Sequence, residues 1–231
     1  METPKKMGGI AALIAAATTL LGMGVFLTML APKGLGSKDP DPSRIVALLA
    51  GNQAAMRLWY VIIYLVLGVC LIFLSLALYE RLKAGSPLLA QALTIFGLIW
   101  AVLVIVIGAL SIKDLSTVVR LYGENPSQAA TVWLTLDTVE TGLGGGGGET
   151  IVSSLWLLLL SWTALRAREL PRVLHYLGVV TGVAGILSVL ALNDLTAVYG
   201  VGLIVWFVLL GIVMLRSTEP VSAATYLAVE S

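Results

Sequence analysis

Four acidic residues in the second half of the sequence have the type and spacing to bind a cation, a proton or an amine. Asp137 and Glu140 are three positions apart, so a helix would place both carboxyl groups on one face. Glu149 follows a run of glycines, and Asp194 lies in a tight polar break between two apolar segments. Acidic groups in or near a membrane are costly unless they are paired or hydrated, and they often mark ion or proton pathways.

The same four residues also allow a purely structural interpretation. Glu149 and Asp194 stand where helices are predicted to begin, and negative charge is favoured at a helix N-terminus. Asp137 and Glu140 would then simply face water. The sequence leaves both interpretations open.

The remaining residues offer little further chemistry. Cys70 is the single cysteine and His175 the single histidine, so one chain can form neither a disulfide nor a metal site built from several cysteines or histidines. The glycines around position 144 are not followed by the Lys-Ser or Lys-Thr of a phosphate-binding loop. We therefore predict no catalytic residue, no metal and no cofactor. The net charge of +1 gives no basic excess that would indicate nucleic acid.

The elements that would position the acids are predicted to be transmembrane helices. Hydrophobic residues make up 58% of the chain and charged residues 12%, whereas a soluble domain carries about 25% charged residues. A membrane-spanning helix needs about 20 mostly apolar residues. Six segments reach or approach that length: 10–30, 59–79, 88–112, 149–165, 173–192 and 197–215. We predict an all-α polytopic bundle of six transmembrane helices in a lipid bilayer, with residues 1–231 forming a single membrane domain.

The connection between the third and fourth predicted helices is the longest in the chain. Asn125-Pro126 divides it, and the charges over 111–122 are spaced as on an interfacial helix. The segment 128–143 is too short and too acidic for a typical span, so we predict that it lies on the surface or is partly re-entrant. One or two short interfacial helices are therefore expected here. The five glycines at 144–148 favour a flexible joint or a close approach of helices.

The distribution of basic residues predicts the orientation, because lysine and arginine accumulate in short cytoplasmic loops. One side of the predicted bundle carries eight basic residues in short connections and termini: Lys5, Lys6, Arg81, Lys83, Arg166, Arg168, Arg172 and Arg216. The other side carries six in longer segments: Lys33, Lys38, Arg44, Arg57, Lys113 and Arg120. We predict a cytoplasmic (inner) membrane protein with both termini in the cytoplasm and the four acids on the outer side.

Three glycines of the fifth predicted helix form a face for close packing. Gly178 and Gly182 are four positions apart, and Gly185 extends the same face. Small residues at this spacing let transmembrane helices approach closely. We interpret the face as packing against the sixth or first helix, with oligomerisation as the alternative.

The region Leu155–Gly178 resembles the prokaryotic membrane-protein family called domain of unknown function 4386. It contains Leu155-Trp156 in an apolar helix, the turn Leu170-Pro171-Arg172, and then a glycine-rich helix. Ser154 stands where that family has a glycine before the Leu-Trp pair. The resemblance implies a small six-helix protein of the cytoplasmic membrane, and it implies no activity or site residues.

The leading functional interpretation is a non-enzymatic accessory or assembly component, within a larger membrane complex or a homo-oligomer. The alternative is a small transporter or channel that uses the outer acids. A membrane enzyme acting on a lipid or quinone comes third, because no nucleophile–base pair or metal-ligand set is evident in the sequence.

Overall fold

The computed structural model describes residues 2–37, 40–167, 170–190 and 195–216, and every regular element in these ranges is a helix. The α-helices are α1 (Glu2–Val25), α2 (Pro42–Gly51), α3 (Gln53–Tyr60), α4 (Leu67–Leu82), α5 (Pro87–Glu124), α6 (Pro126–Leu143), α7 (Gly148–Ala167), α8 (Arg172–Val189) and α9 (Leu195–Arg216). A π-helical segment, Phe26–Leu30, continues α1, and another, Val61–Val66, joins α3 to α4.

Six helical stretches of the described chain are long and apolar enough to cross a membrane: 6–33, 53–82, 87–124, 126–166, 172–189 and 195–216. The stretch 126–166 contains both α6 and α7. Because α7 is 20 residues long, it reaches about 30 Å at 1.5 Å per residue, which matches the apolar core of a bilayer. The predicted all-α architecture with six candidate spans is therefore confirmed.

The spanning helices form a ring in chain order. The helix made of α3 and α4 packs between α1 and α5, α7 packs between α5 and α8, and α9 packs between α8 and α1. The first and last spanning helices are thus neighbours and close the ring. Its main core is built from buried residues of α1, α4, α5, α7, α8 and α9.

A second, smaller core lies beyond one end of the ring. Helix α5 has 38 residues, so it is about 57 Å long and extends well past an apolar layer of about 30 Å. Its final turns pack against α2 and α6. The buried residues there are Leu30, Ile45, Val46, Leu49, Met56, Leu115, Val118, Ala129 and Trp133. We call this unit the outer cap, after the orientation that the sequence predicts.

The outer cap changes the predicted connection in two respects. The expected interfacial helix over 111–122 is the uninterrupted continuation of α5, because no proline lies between Pro87 and Asn125. Helix α2 was not predicted, although Asp41 provides a start signal: its carboxylate accepts hydrogen bonds from the backbone N–H groups of Ser43 (3.0 Å) and Arg44 (3.2 Å).

The glycine tract forms a tight turn rather than a long joint. Helix α7 already begins at Gly148, inside the tract. Gly146 has φ +129°, a conformation that L side chains rarely adopt. A Cβ at Gly147 would overlap the Gly142 backbone carbonyl. The turn therefore fixes where α7 starts, and with it the position of Glu149.

Candidate functional site

Glu149 lies in the first turn of α7 and contacts α5. Its carboxylate accepts a hydrogen bond from the indole Nε1–H of Trp100, which is fully buried. Glu149 is partly buried, and many protein atoms surround its carboxyl group. In the described part of the chain, no lysine, arginine or histidine forms an ion pair with it. Within those residues, the carboxylate thus has a hydrogen-bond donor but no ion-pair partner.

Glu140 lies on α6 and also contacts α5. Its Oε2 accepts a hydrogen bond of 2.8 Å from the Oγ–H of Ser111, which is only 1% exposed. Asp114 stands three residues beyond Ser111 on α5, and its carboxyl group lies close enough to interact directly with that of Glu140. Two carboxyl groups so placed repel each other when both are ionised, and a shared proton or a bound cation relieves that repulsion.

Two tyrosines lie near these carboxyl groups. Tyr60 ends α3, Tyr64 lies in the π-helical segment that follows, and their rings stack with centroids 6.1 Å apart. The Tyr64 hydroxyl lies within the electrostatic range of both Glu140 and Glu149. Gly108 allows this approach, because a Cβ there would lie 2.5 Å from the Tyr64 Cβ. Short π-helical insertions in α-helices are frequent at functional sites.

We call the group Tyr64, Trp100, Ser111, Glu140 and Glu149 the carboxyl site. Trp100 and Ser111 are 11 positions apart on α5, about 16 Å along the helix axis, so Glu149 and Glu140 are two separate points of this site. Its members come from the π-helical segment, α5, α6 and α7. Among the described residues, no group of three or more His, Cys, Asp or Glu side chains is arranged to hold a metal ion. The chemistry that this geometry permits is the binding of a proton or a small cation by carboxyl oxygens, with hydroxyl and indole donors beside them.

The structure places three of the four predicted acids in or beside this site. Glu140 and Glu149 belong to it, and Asp137 is partly buried one turn before Glu140, within its electrostatic range. Asp194 lies outside the described residues. The sequence did not indicate Trp100, Ser111, Asp114 or Tyr64. A tryptophan in the middle of a long apolar segment was a usable signal, because transmembrane tryptophans favour the membrane surface.

A cluster of four aromatic rings lies directly beside the site. Trp100 packs against Trp156 at 5.4 Å between centroids and stacks on Phe207 at 6.0 Å, while Trp156 meets Trp206 edge-on at 5.5 Å. All four side chains are buried. The Trp206 indole donates a hydrogen bond of 3.2 Å to the backbone carbonyl of Leu174. The site is therefore supported by rigid side chains of α5, α7 and α9.

The three glycines of α8 pack mainly against α7, a helix that the sequence interpretation did not select. A Cβ at Gly178 would overlap the Ser161 hydroxyl, and one at Gly185 would overlap the Ser154 hydroxyl. A Cβ at Gly182 would lie 2.9 Å from the Ser154 carbonyl oxygen. Contacts with the sixth spanning helix are also present, through Tyr199 and Trp206 of α9. This face sets how closely α8 approaches α7.

The fold and the six apolar spans define a helical multi-pass membrane protein. Residues 7–215 match the family described as Domain of unknown function (DUF4386), which covers most of the chain. The chain therefore belongs to this family, and the predicted resemblance is confirmed. No curated protein and no solved structure matches it.

Proposed function

We propose that this chain is a small membrane transporter or channel that binds a proton or a small cation at the carboxyl site. The observation that carries the proposal is the contact between Glu149 and Trp100. In this contact, a carboxylate on one spanning helix accepts a hydrogen bond from a buried indole on another. Ionisable residues within the membrane are functional candidates by default, because keeping them there is costly.

The contact favours binding over simple helix capping. A capping carboxylate accepts hydrogen bonds from backbone N–H groups of its own first turn. The Glu149 carboxylate instead accepts one from α5, 49 positions earlier in the sequence. A carboxylate held in this way, without an ion pair, is neutralised at low cost by a proton or a cation.

The proposal is tested by flux measurements with purified protein in proteoliposomes. Separate assays follow protons with an internal pH dye, and Na⁺, K⁺ and methylammonium by uptake. Glu149→Gln keeps an oxygen that accepts the Trp100 hydrogen bond but removes the charge. We expect its flux to fall by about tenfold or more, since a loss of 1.4 kcal/mol of interaction already gives a factor of ten.

Glu124→Gln is the matched control. Glu124 is exposed on the same side of the protein and pairs with Arg120 at 3.1 Å, so this variant should keep the wild-type flux. Unchanged flux in Glu149→Gln would contradict the proposal. So would a wild-type protein that carries none of the four ions.

A second candidate function, the accessory or assembly component, is favoured by a groove between α1 and α4. The groove has a volume of about 800 Å³ and is lined by apolar side chains, including Ile10, Ile14 and Phe73. A transmembrane helix of a partner would fit such a surface. We expect the wild-type protein to form a complex that survives mild detergent. Val69→Trp fills the groove and should abolish the complex, whereas the control Val102→Trp should keep it. A wild-type protein that migrates alone would contradict this function.

The orientation and location of the protein are also proposals. The basic residues support a cytoplasmic membrane with both termini in the cytoplasm, which places the outer cap and the carboxyl site on the outer side. The ring closed by α1 and α9 supports a single membrane domain.

A further inference from the structure

The C-terminal end of α7 and the N-terminal end of α8 carry a pair of arginines beside two exposed aromatic rings. Arg166 is in the last turn of α7 and Arg172 begins α8. Trp162 is 54% exposed and Tyr176 is 69% exposed. Both arginines are exposed, and in the described part of the chain neither forms an ion pair.

The two arginines lie on the same side of the α7–α8 hairpin. Ser154, Leu158 and Ser161 mark the line along which α7 faces α8, and Gly178, Gly182 and Gly185 mark the facing line of α8. Successive residues of a helix are rotated by about 100°. Arg166 is therefore rotated by about 110° around α7 from the line that faces α8, and Arg172 is rotated by about 110° around α8 from the line that faces α7. Because the helices are antiparallel, these rotations bring both side chains to one face.

The aromatic rings lie one turn further into the two spans, Trp162 on the same face and Tyr176 about 150° around α8 from its glycine line, at the edge of that face. Trp162 precedes Arg166 by four residues, and Tyr176 follows Arg172 by four. The Arg166 guanidinium lies over the Trp162 ring, 5.0 Å from its centroid. This contact orients the guanidinium at the boundary between the apolar span and the polar surface.

We propose that this face binds the headgroup of an anionic phospholipid, with the lipid phosphate between Arg166 and Arg172. Charge complementarity supports this ligand, because two guanidinium groups, each with planar donors suited to a phosphate, stand at the ends of two candidate membrane spans. The rings of Trp162 and Tyr176 pack beside the glycerol backbone, as interfacial aromatic residues do. We call this the headgroup site.

The headgroup site is tested by native mass spectrometry of the purified full-length chain, titrated with phosphatidylglycerol or phosphatidylcholine of identical acyl chains. The wild-type protein should retain phosphatidylglycerol preferentially. The double variant Arg166→Gln/Arg172→Gln should bind it about 25-fold more weakly, about fivefold for each arginine, the magnitude expected for a basic side chain at an anionic surface.

Arg44→Gln/Lys113→Gln is the matched control, because it removes two exposed positive charges from the other end of the bundle. It should bind phosphatidylglycerol like the wild type. Equal loss in the control would overturn the proposal, as would unchanged binding in the arginine variant.

A second comparison needs no variant and therefore does not depend on the folding of one. If the wild-type protein binds both lipids equally, the headgroup site is refuted.

If the arginine variant instead loses a concentration-dependent dimer while its lipid binding is unchanged, the face contacts a second copy and the proposal is wrong.

Discussion

The hydrogen bond between Trp100 and Glu149 joins the third and fourth spanning helices through side chains that are 49 positions apart in the sequence. A buried acceptor that loses its donor costs about 1–3 kcal/mol. At the scale of single residues, this bond both stabilises the bundle and fixes the orientation of the carboxylate.

Trp100→Phe tests that dual role, because it keeps an aromatic ring and removes the indole N–H. We expect a lower Tm in detergent, by about 2–4 °C for each kcal/mol lost in a chain of this size, together with reduced flux. Trp162→Phe, which changes a lipid-facing indole, should leave Tm nearly unchanged. A Trp100→Phe protein as stable as the wild type would mean that the bond contributes nothing.

Individual residues were the part of the site that sequence could predict least. Glu140 and Glu149 were identifiable because acids are rare in so apolar a chain. Their pairing with Trp100 and Ser111 was not, because a contact between α5 and a later helix depends on the depth and rotation of both helices. Single-sequence patterns carry no information about either quantity.

At the scale of elements, hydroxyl groups and glycines determine how closely α7 and α8 approach. The Ser161 and Ser154 hydroxyls lie where the Cβ atoms of Gly178 and Gly185 would be, and in the described structure neither hydroxyl has a conventional hydrogen-bond partner. Weak Cα–H···O contacts with the glycines account for such positions at helix interfaces.

Gly178→Ala should lower Tm, because overpacking a tight interface costs about 1–3 kcal/mol. Adding Ser161→Ala removes the atom that the new methyl group overlaps and should restore part of the loss. Gly24→Ala is the control, since a Cβ there meets nothing within 4 Å. Thermal unfolding followed by intrinsic fluorescence measures all of these variants. Equal Tm values for Gly178→Ala and Gly24→Ala would contradict the packing described.

The glycine tract provides a second matched pair of variants. A Cβ at Gly147 would overlap the Gly142 carbonyl, whereas one at Gly145 meets nothing within 4 Å. We expect Gly147→Ala to disrupt the start of α7 and to lose flux with the carboxyl site, while Gly145→Ala remains active. If both variants behave alike in the proteoliposome assay, the tract acts as a flexible joint and the tight turn is wrong.

Elements were predicted well where length and hydropathy decided the outcome, and less well where helices continue into polar sequence. The spans of α8 and α9 follow from their apolar runs. The extension of α5 beyond position 112 was missed because charged residues such as Lys113 and Asp114 suggested a new interfacial helix, although nothing there breaks the backbone.

At the scale of the whole molecule, two separate cores imply two levels of local stability. The outer cap is a small cluster, whereas the ring has a much larger core. Smaller units with fewer buried apolar groups open more readily.

Trp133→Ala should therefore destabilise the outer cap without unfolding the ring, because Trp133 is 7% exposed within the smaller core. Hydrogen exchange measured by mass spectrometry should show faster exchange in α2 and α6 and unchanged exchange in α4. Faster exchange throughout the protein would show that the two cores unfold together.

The orientation of the whole molecule is tested by labelling single cysteines in intact cells. Ser37→Cys and Ala84→Cys introduce exposed positions at opposite ends of the bundle, and Cys70 is buried. We expect an impermeant maleimide to label position 37 from outside and position 84 only after lysis. The reverse pattern would invert the proposed topology.

The ring closed by α1 and α9 also has a consequence for biosynthesis. Ribosomes deliver α1 before α9, so the contact that closes the ring joins two spans far apart in the sequence and cannot form until α9 has been made. Until α9 has been synthesised, one flank of α1 has only lipid or another protein to pack against. A chain that stops after α8 keeps this flank of α1 exposed, and it also exposes the flank of α8 that α9 would cover. In two such chains, the exposed flanks of one can pack against those of the other.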